Sequence, residues 1–80
     1  MKMTLKLARI GMNMEEATIV KWHKQPGQEF KTGEPLYEIE TEKVNQEIAA
    51  TSDGTMVELY VREGDIVKVG SQVCAVELDF

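Results

Sequence analysis

The sequence predicts an all-β protein, a small sandwich made of two similar halves. Apolar and polar residues alternate with a period of two over short runs that are rich in β-branched residues. No stretch of the chain shows a helical period. One segment also repeats another at a constant spacing, which indicates two copies of one structural unit packed face to face.

Length and composition restrict the protein to one domain, residues 1–80, with a thin core. A chain of this size buries roughly 60–65 % of its unfolded surface, which leaves little room for a deep substrate pocket. The share of hydrophobic residues, 42%, and of charged residues, 29%, is normal for a soluble fold and argues against disorder.

Net charge and hydropathy limit the kinds of macromolecule that this protein is expected to bind. The net charge of −5 disfavours nucleic acid and anionic membranes and suits basic protein partners. No apolar run approaches the ~20 residues of a membrane span, and the N-terminus has neither signal-peptide nor transit-peptide character. The single cysteine, Cys74, excludes an internal disulfide and indicates a reducing compartment. We therefore expect a cytoplasmic protein, or one of the mitochondrial matrix if the source is eukaryotic.

Eight strands are predicted from the alternating runs and from the turn residues that bound them. In chain order they cover Thr4–Ala8, Thr18–His23, Glu29–Phe30, Leu36–Thr41, Val44–Ala49, Thr55–Val61, Ile66–Val67 and Gln72–Leu78. The third and seventh strands are short because a Gly turn closes each of them on both sides.

Segments 18–33 and 55–70 match each other. Gly27 and Gly33 recur as Gly64 and Gly70, each 37 positions later. The same spacing continues in the pairs Leu36/Val73, Ile39/Val76 and Glu40/Glu77. It fails upstream, because residues 10–16 are longer than their counterpart near residues 51 and 52. Each copy supplies a strand, a Gly turn, a short strand, a second Gly turn and a further strand.

Positions matched by the repeat predict the core: Val20, Trp22, Phe30, Leu36, Ile39, Val57, Leu59, Val67, Val73 and Val76. Trp22 is interpreted as a core residue rather than a platform for a ligand. The only histidine, His23, has no nucleophile and no aspartate arranged beside it, so we interpret it as a surface strand residue and not as a general base. Cys74 has nothing nearby to activate its thiol and is interpreted as a small buried apolar residue.

The stretch 38–48 predicts a tight β-hairpin with Lys43 at its tip. Two alternating runs flank the polar pair Glu42-Lys43. The turn contains no glycine, so it should avoid positive φ, and a type I turn accepts Glu and Lys. The predicted symmetry places this tip between the two halves, with the chain termini together at the opposite end.

This hairpin resembles the attachment hairpin of lipoyl domains, the swinging-arm carriers of 2-oxo acid and acetoin dehydrogenase complexes. Residues 38–44 read Glu-Ile-Glu-Thr-Glu-Lys-Val, where the usual family pattern is Glu-Thr-Asp-Lys-Ala, so Glu42 and Val44 are conservative replacements around an unchanged Lys43. The resemblance covers nearly the whole chain, including segments 18–22, 26–27, 31–36 and 63–65. It implies a flattened barrel of two four-stranded antiparallel sheets with quasi-two-fold symmetry and the lipoyl-lysine at a hairpin tip.

The resemblance implies lipoate in amide linkage to Lys43, with Glu40, Glu42 and Val44 recognised by a lipoate-attaching enzyme. It further implies three partners: a thiamine-dependent dehydrogenase component that acylates the arm, an acyltransferase core that passes the acyl group to coenzyme A, and a dihydrolipoyl dehydrogenase that reoxidises the arm. The domain itself would be a monomeric carrier with no catalytic residue and no metal site, because the cofactor holds the chemistry.

Lys43 has acidic neighbours in Glu40, Glu42 and Glu47, which favour the ammonium form and make it a poor Schiff-base or general-base residue. On composition alone it would be an ordinary solvated lysine at a turn. The repeat, the symmetric tip position and the family resemblance favour modification by an enzyme that supplies its own deprotonation.

In the resembled family, the loop after the first strand lies beside the lipoyl hairpin and helps the dehydrogenase choose its substrate domain. Here that loop contains Met12, Asn13, Met14 and Glu15. Exposed methionines would offer adaptable apolar contacts to a partner. The alternative is that one or both methionines fold inward as part of the core.

Other functions of the Lys43 hairpin remain possible interpretations of the sequence. Biotin carriers share the fold but hold their lysine in Ala-Met-Lys-Met, where this chain has Glu42 and Val44. Met1-Lys2-Met3 spells the same tripeptide, but at a terminus that we expect to fray, with no preceding strand. Glycine-cleavage carriers are longer. An unmodified lipoyl-like module with a structural or binding role is a further alternative, although such a module needs no lysine at the tip.

Overall fold

The computed structural model describes residues 1–10 and 14–79, which contain eight β-strands and no helix. The strands are β1 (Lys2–Lys6), β2 (Glu16–Trp22), β3 (Glu29–Phe30), β4 (Pro35–Glu40), β5 (Asn45–Ala49), β6 (Gly54–Leu59), β7 (Ile66–Lys68) and β8 (Gln72–Leu78). Sheet 1 has the strand order β1-β8-β6-β3, and sheet 2 has the order β5-β4-β2-β7. All pairings are antiparallel, so the predicted sandwich of two four-stranded sheets is confirmed. Nothing in the described part of the chain forms a helix suited to crossing a membrane.

The chain terminus is paired rather than frayed. Lys2 lies opposite Glu77 in the register of β1 with β8. The Leu78 N–H donates to the Met1 carbonyl at 2.8 Å, and the Met1 ammonium group donates to the Leu78 carbonyl at 2.7 Å. The expectation that residues 1–3 fray is therefore wrong, and β1 begins two residues before the predicted Thr4 because β8 supplies hydrogen-bond partners that far.

The two-fold symmetry reaches further than the sequence repeat. Ile19 lies opposite Ile39, and Met56 lies opposite Val76, so both pairs keep the spacing of 37 residues. The symmetry then continues into the outer strands, where β4 pairs with β5 as β8 pairs with β1. Equivalent residues of β1 and β5, such as Leu5 and Ile48, are 43 positions apart rather than 37, because the loops that follow these strands differ in length.

The two halves are interleaved rather than simply stacked. In sheet 1, the central strands β8 and β6 come from the second half and the edge strands β1 and β3 from the first. In sheet 2, the central strands β4 and β2 come from the first half and the edge strands β5 and β7 from the second. Gly27 in the first half donates to Met56 at 2.8 Å, and Gly64 in the second half donates to Ile19 at 2.7 Å. Gly27 and Gly64 have φ angles of +93° and +94°, in the left-handed region that favours glycine. Each Gly turn therefore fastens its half onto a strand of the other half.

The core differs from the predicted one at two symmetric positions. Val20 and Val57 were predicted to be buried, but they are 42% and 38% exposed. Both lie at a β-bulge, where the register shifts between Ile19 and Lys21 and between Met56 and Glu58. A bulge adds one residue to a strand and reverses the face on which the earlier residues lie. Ile19 and Met56 therefore take the inner positions, with exposures of 0% and 1%.

The remaining predicted core residues pack between the sheets, although Leu59 is only partly buried. Trp22 is buried, as predicted, and its ring stands 4.8 Å from the Tyr37 ring, centroid to centroid. Its indole N–H donates to the Val61 carbonyl at 3.1 Å, which satisfies the one polar atom of the side chain. Trp22 thus joins β2 to the segment after β6 and leaves no open ring face of the kind a ligand platform needs.

The hairpin tip and the chain termini lie at opposite ends of the sandwich. Glu40, the last residue of β4, is paired with Thr18, and the same Thr18 is paired with Ile66 of β7. At the other end, Leu78 is paired with Gly54 and hydrogen-bonded to Met1. β4 and β8 therefore end at opposite poles of the molecule, whose longest dimension is 34 Å.

Candidate functional site

Residues 41–44 form the tip of the hairpin between β4 and β5, and Lys43 lies within it. The ladder below the tip pairs Glu40 with Asn45 and Ile39 with Gln46. No non-glycine residue in the described part of the chain has a positive φ, which excludes the turn types that need it. The predicted hairpin without positive φ is therefore confirmed.

Thr41 closes the turn with its side chain. The Thr41 N–H donates to the Val44 carbonyl at 2.8 Å. In the opposite direction, the Val44 N–H donates to Thr41 Oγ1 at 3.2 Å, and the Lys43 N–H approaches the same oxygen at 3.4 Å. A hydroxyl oxygen that accepts backbone N–H groups holds a turn without glycine. The backbone that carries Lys43 is thereby tied down from within the turn.

The Lys43 side chain is exposed, and its amine makes no hydrogen bond or ion pair with any described residue. Glu40, Glu42 and Val44, the residues predicted to be recognised with it, are exposed as well. They surround the Lys43 position with polar and apolar groups at the end of the hairpin. This arrangement can present an amine to a second macromolecule, and no described side chain is placed to assist catalysis by it.

An open groove runs beside the tip. It has a volume of about 720 Å³ and lies between the hairpin, the start of β2 and β7. Ile66, 66% exposed, and Val44, 48% exposed, supply apolar surface to it. The rim is acidic, with carboxylates contributed by Glu15, Glu16, Glu40 and Glu42. The surface around Lys43 therefore suits a partner with apolar and basic groups.

The predicted partner-recognition loop is only partly described. Met12 and Asn13 lie outside the described residues. Met14 is buried, 8% exposed, and belongs to the core, where its sulfur accepts a hydrogen bond from the Ile10 N–H at 3.4 Å. The inward alternative therefore holds for Met14, and it offers no exposed apolar contact. Glu15 is exposed at the rim of the groove.

His23 has partners that sequence reasoning missed. It follows the end of β2 rather than lying in the strand, and it is partly buried. Its Nε2 atom lies 2.7 Å from Glu38 Oε2 and 3.7 Å from Glu47 Oε2. The strand pairing of the predicted hairpin could have indicated part of this cluster, because Glu38 and Glu47 are directly opposite each other on β4 and β5. The prediction of a plain surface strand residue is wrong in this respect.

Cys74 is confirmed as a buried apolar residue. Its exposure is 0%, and burial raises the pKa of its thiol to about 12. The thiol therefore stays protonated near neutral pH and is neither nucleophile nor metal ligand in the folded protein. Tyr37 occupies the equivalent position of the other half, and burial, with a smaller effect from Cys74, raises its pKa to about 12 as well.

Comparison with protein-family models matches residues 3–76 to the biotin/lipoyl family, described as "Biotin-requiring enzyme". Among curated relatives, the chain is 41% identical over 68 residues to the "Dihydrolipoyllysine-residue acetyltransferase component of pyruvate dehydrogenase complex" of Acholeplasma laidlawii. It is 41% identical over 73 residues to the "Dihydrolipoyllysine-residue succinyltransferase component of 2-oxoglutarate dehydrogenase complex" of Rickettsia conorii. These alignments cover 85% and 91% of this chain but only 12% and 18% of the relatives.

Two solved structures have the same fold as this chain. The lipoyl domain of the 2-oxoglutarate dehydrogenase complex from Azotobacter vinelandii superposes with a TM-score of 0.77 at 33% identity, covering 91% of this chain and 92% of that one. A single-chain, multi-domain long-chain acyl-CoA carboxylase matches with a TM-score of 0.81 at 19% identity, covering 99% of this chain and 7% of that one, which shows the fold alone. On the family match, the relatives and the full-length likeness to a lipoyl domain, the chain belongs to the biotinyl/lipoyl attachment family as a lipoyl domain, a carrier and not an enzyme.

Proposed function

We propose that Lys43 is the attachment site of lipoate and that this domain carries acyl groups as a swinging arm. The observation that carries the proposal is the Lys43 amine, exposed and unpaired among the described residues, at the tip of a hairpin that Thr41 holds closed. The relatives are named for a dihydrolipoyllysine residue, which supports a lysine as the site.

The residues present fit this group. Lipoate joins a lysine through an amide bond, so the acceptor must offer a free amine that another enzyme can reach. Lys43 does so, while the buried Cys74 thiol cannot compete as a nucleophile. The bound cofactor supplies a dithiolane that can be reductively acylated and later reoxidised. The chain supplies the tether, the orientation and the surface that partners recognise.

Tethering explains why a domain without catalytic residues is useful. A group held on an arm meets each partner at an effective concentration in the millimolar range or above, so no free intermediate has to diffuse. The partners that fit this role are a thiamine-dependent dehydrogenase component, an acyltransferase core and a dihydrolipoyl dehydrogenase. The closed turn helps because it holds the lysine backbone at the end of the sandwich away from the chain termini.

Recognition by the lipoate-attaching enzyme is proposed to use Glu40, Glu42 and Val44, which surround the amine. Two carboxylates close to a lysine attract a basic surface, and Val44 adds apolar contact area. Glu15, at the far rim of the groove, extends the acidic surface toward the loop after β1. The dehydrogenase component is proposed to dock on the same side of the domain.

Mass spectrometry tests the attachment site. The parent chain is co-expressed with a lipoate-attaching enzyme, and we expect its mass to rise by one lipoyl group. Lys43→Arg keeps the charge and should remain unmodified. Lys31→Arg is the matched control, since Lys31 is also an exposed lysine in a turn between strands, and it should be modified like the parent chain. An unmodified parent chain, or a lipoylated Lys43→Arg variant, would contradict the proposal.

Biotin is the second candidate, because the matched family is described by biotin-requiring enzymes. Glu42 and Val44 stand where biotin carriers have methionines, which favours lipoate. Co-expression with a biotin-attaching enzyme should leave the parent chain unmodified, while the double variant Glu42→Met/Val44→Met should gain some biotin. Full biotinylation of the parent chain would overturn the choice of cofactor. A chain that accepts neither group would instead be the unmodified structural or binding module.

The complex that this domain serves can be tested with the lipoylated protein. Reductive acylation by a panel of dehydrogenase components, specific for pyruvate, 2-oxoglutarate, branched-chain 2-oxo acids or acetoin, should show one strongly preferred partner. Sedimentation of the same sample should give a monomer. Equal and slow acylation by every component would mean that the surface around Lys43 does not select a partner.

A further inference from the structure

Three side chains that can bind a metal ion meet on the outer face of sheet 2. Glu38 of β4 lies directly opposite Glu47 of β5, so both carboxylates project from the same face. His23, just after β2, points its Nε2 atom at both, with distances of 2.7 Å to Glu38 Oε2 and 3.7 Å to Glu47 Oε2. The three ligand atoms all lie within 4.8 Å of one another.

This spacing is close to what a small divalent ion requires. Zinc binds imidazole nitrogen and carboxylate oxygen at about 2.0–2.2 Å, which places neighbouring ligands of a tetrahedral site about 3.4 Å apart. The observed separations of 2.7 and 3.7 Å lie on either side of that value. To hold one ion, the His23 and Glu38 ligand atoms must move apart toward that value, and the Glu47 side chain, 58% exposed, must turn toward them.

Among the described residues, neither carboxylate forms an ion pair with a lysine or arginine. Like charges directly opposite each other in a sheet destabilise it. Lys21 lies opposite Glu38 on the other side and could neutralise the pair, but it forms no ion pair with either carboxylate. Lys24 is engaged with Glu34 at 3.6 Å. Within the described residues, the His23 ring is thus the only part of a basic side chain that lies within 4 Å of these carboxylates.

The fold does not require these residue types. In sheet 1 the two-fold equivalents of His23, Glu38 and Glu47 are Tyr60, Ala75 and Thr4. The backbone is the same in both places: Thr4 lies opposite Ala75 as Glu47 lies opposite Glu38, and the Tyr60 N–H donates to Val73 as the His23 N–H donates to Leu36. A structurally matched face without these three ligands shows that the sandwich closes without them.

We propose that His23, Glu38 and Glu47 form a binding site for a divalent transition-metal ion of the zinc type, with water completing the coordination. One nitrogen and two oxygen ligands suit Zn²⁺ and its neighbours better than Ca²⁺ or Mg²⁺, which prefer oxygen alone. The ion binds Nε2 in its unprotonated form, so the hydrogen of the neutral ring is then on Nδ1. The bound ion joins the residue that follows β2 to β4 and β5, and so braces the hairpin that carries Lys43.

Calorimetric titration of the unlipoylated domain with zinc chloride, without any histidine tag, tests the site. We expect one ion per chain. His23→Gln, Glu38→Gln and Glu47→Gln should each weaken binding by at least about tenfold. Glu58→Gln is the matched control, because Glu58 is an exposed strand carboxylate on sheet 1, and it should bind like the parent chain. Zinc should also raise the Tm of the parent chain and of Glu58→Gln but not of His23→Gln.

A second measurement needs no variant and therefore cannot fail through misfolding. In two-dimensional NMR spectra, trace Cu²⁺ should broaden the amide signals around residues 23, 38 and 47 before those of any other acidic patch. Broadening that begins elsewhere, or zinc binding that is unchanged in His23→Gln, would overturn the proposal. So would equal affinity for Mg²⁺, since that outcome indicates acidic side chains alone. None of these readouts depends on lipoylation, so the proposed carrier function and the metal site can fail separately.

Discussion

The Thr41 hydroxyl oxygen accepts a hydrogen bond from the Val44 N–H at 3.2 Å, across the two residues that form the tip of the hairpin. The Thr41 backbone N–H returns a bond to the Val44 carbonyl at 2.8 Å. These two residues therefore close a ring of contacts beneath Glu42 and Lys43. The lysine side chain has no bonding partner among the described residues, while its backbone is held, which is the combination that a carrier with a mobile arm needs.

Thr41→Val should loosen the tip without disturbing the sandwich. Valine has the same shape but no oxygen, so the Val44 N–H loses its side-chain acceptor, at a net cost of about 0.5–1.5 kcal/mol. Amide exchange at residues 43 and 44 should become faster, and lipoylation should slow. Thr4→Val, an exposed threonine in β1, is the control and should leave both rates unchanged. Identical exchange rates in Thr41→Val and the parent chain would mean that the hydroxyl does not hold the turn.

At each of the two bulges, one residue is buried in the core and the residue after it is exposed. Ile19→Ala and Met56→Ala should each lower the free energy of unfolding by about 2–5 kcal/mol, because both side chains are fully enclosed. Val20→Ala and Val57→Ala should cost less than about 1 kcal/mol, since both side chains are substantially exposed. Urea unfolding of the four variants measures the difference. Equal losses within each adjacent pair would show that the bulges are misplaced.

Gly54 should not tolerate a side chain. A Cβ atom there would lie 2.5 Å from the Glu77 carbonyl oxygen and 3.1 Å from the Phe30 ring. Gly54→Ala should therefore lower the free energy of unfolding by about 1–3 kcal/mol. Ala17 is its two-fold equivalent and lies opposite the smaller Val67, whereas Gly54 lies opposite Phe30. The reverse change, Ala17→Gly, should cost only about 0.5–1 kcal/mol, and a larger loss there than in Gly54→Ala would contradict this account.

Stability should fall in alkaline solution. The pKa of Cys74 is raised from 9.0 to about 12, and that of Tyr37 from 10.0 to about 12, chiefly by burial. The unfolded chain loses these protons at lower pH than the folded chain, so their contribution is fully present below about pH 9 and is lost as the pH approaches 12. Cys74→Ala should flatten the decline of Tm between pH 9 and 10, because the Cys74 thiol of the unfolded chain loses its proton at lower pH than the Tyr37 hydroxyl does. An unchanged slope would indicate that other groups cause the alkaline loss.

The sequence predicts most of this fold because its glycines and alternating runs are local signals that agree with the repeat. Gly27 and Gly64 lie where turns need positive φ, and the predicted hairpin around Lys43 forms as expected. Val20 and Val57 were predicted wrongly because a bulge is a property of strand pairing, and a single strand with alternating residues carries no mark of it. The repeat contained a hint, since both errors are 37 residues apart.

The contacts of His23 were missed for a similar reason. Its partners, Glu38 and Glu47, lie on two other strands, and only the register of β2, β4 and β5 brings the three together. Met14 illustrates a different limit. A methionine after a strand can fill the core or face a partner with equal ease, and only the available space in the core decides. That space depends on the packing of both sheets rather than on the local pattern.

The contact between Met1 and Leu78 makes this a chain that can be closed into a circle. The Met1 nitrogen donates to the Leu78 carbonyl at 2.7 Å, and the Leu78 nitrogen donates to the Met1 carbonyl at 2.8 Å. A short peptide could therefore join the two ends. Opening the circle at another exposed turn would yield a permuted protein with every strand in place. A fusion beside Met1 or Leu78 likewise starts at the opposite pole from Lys43, which keeps the amine clear for enzymes that must reach it.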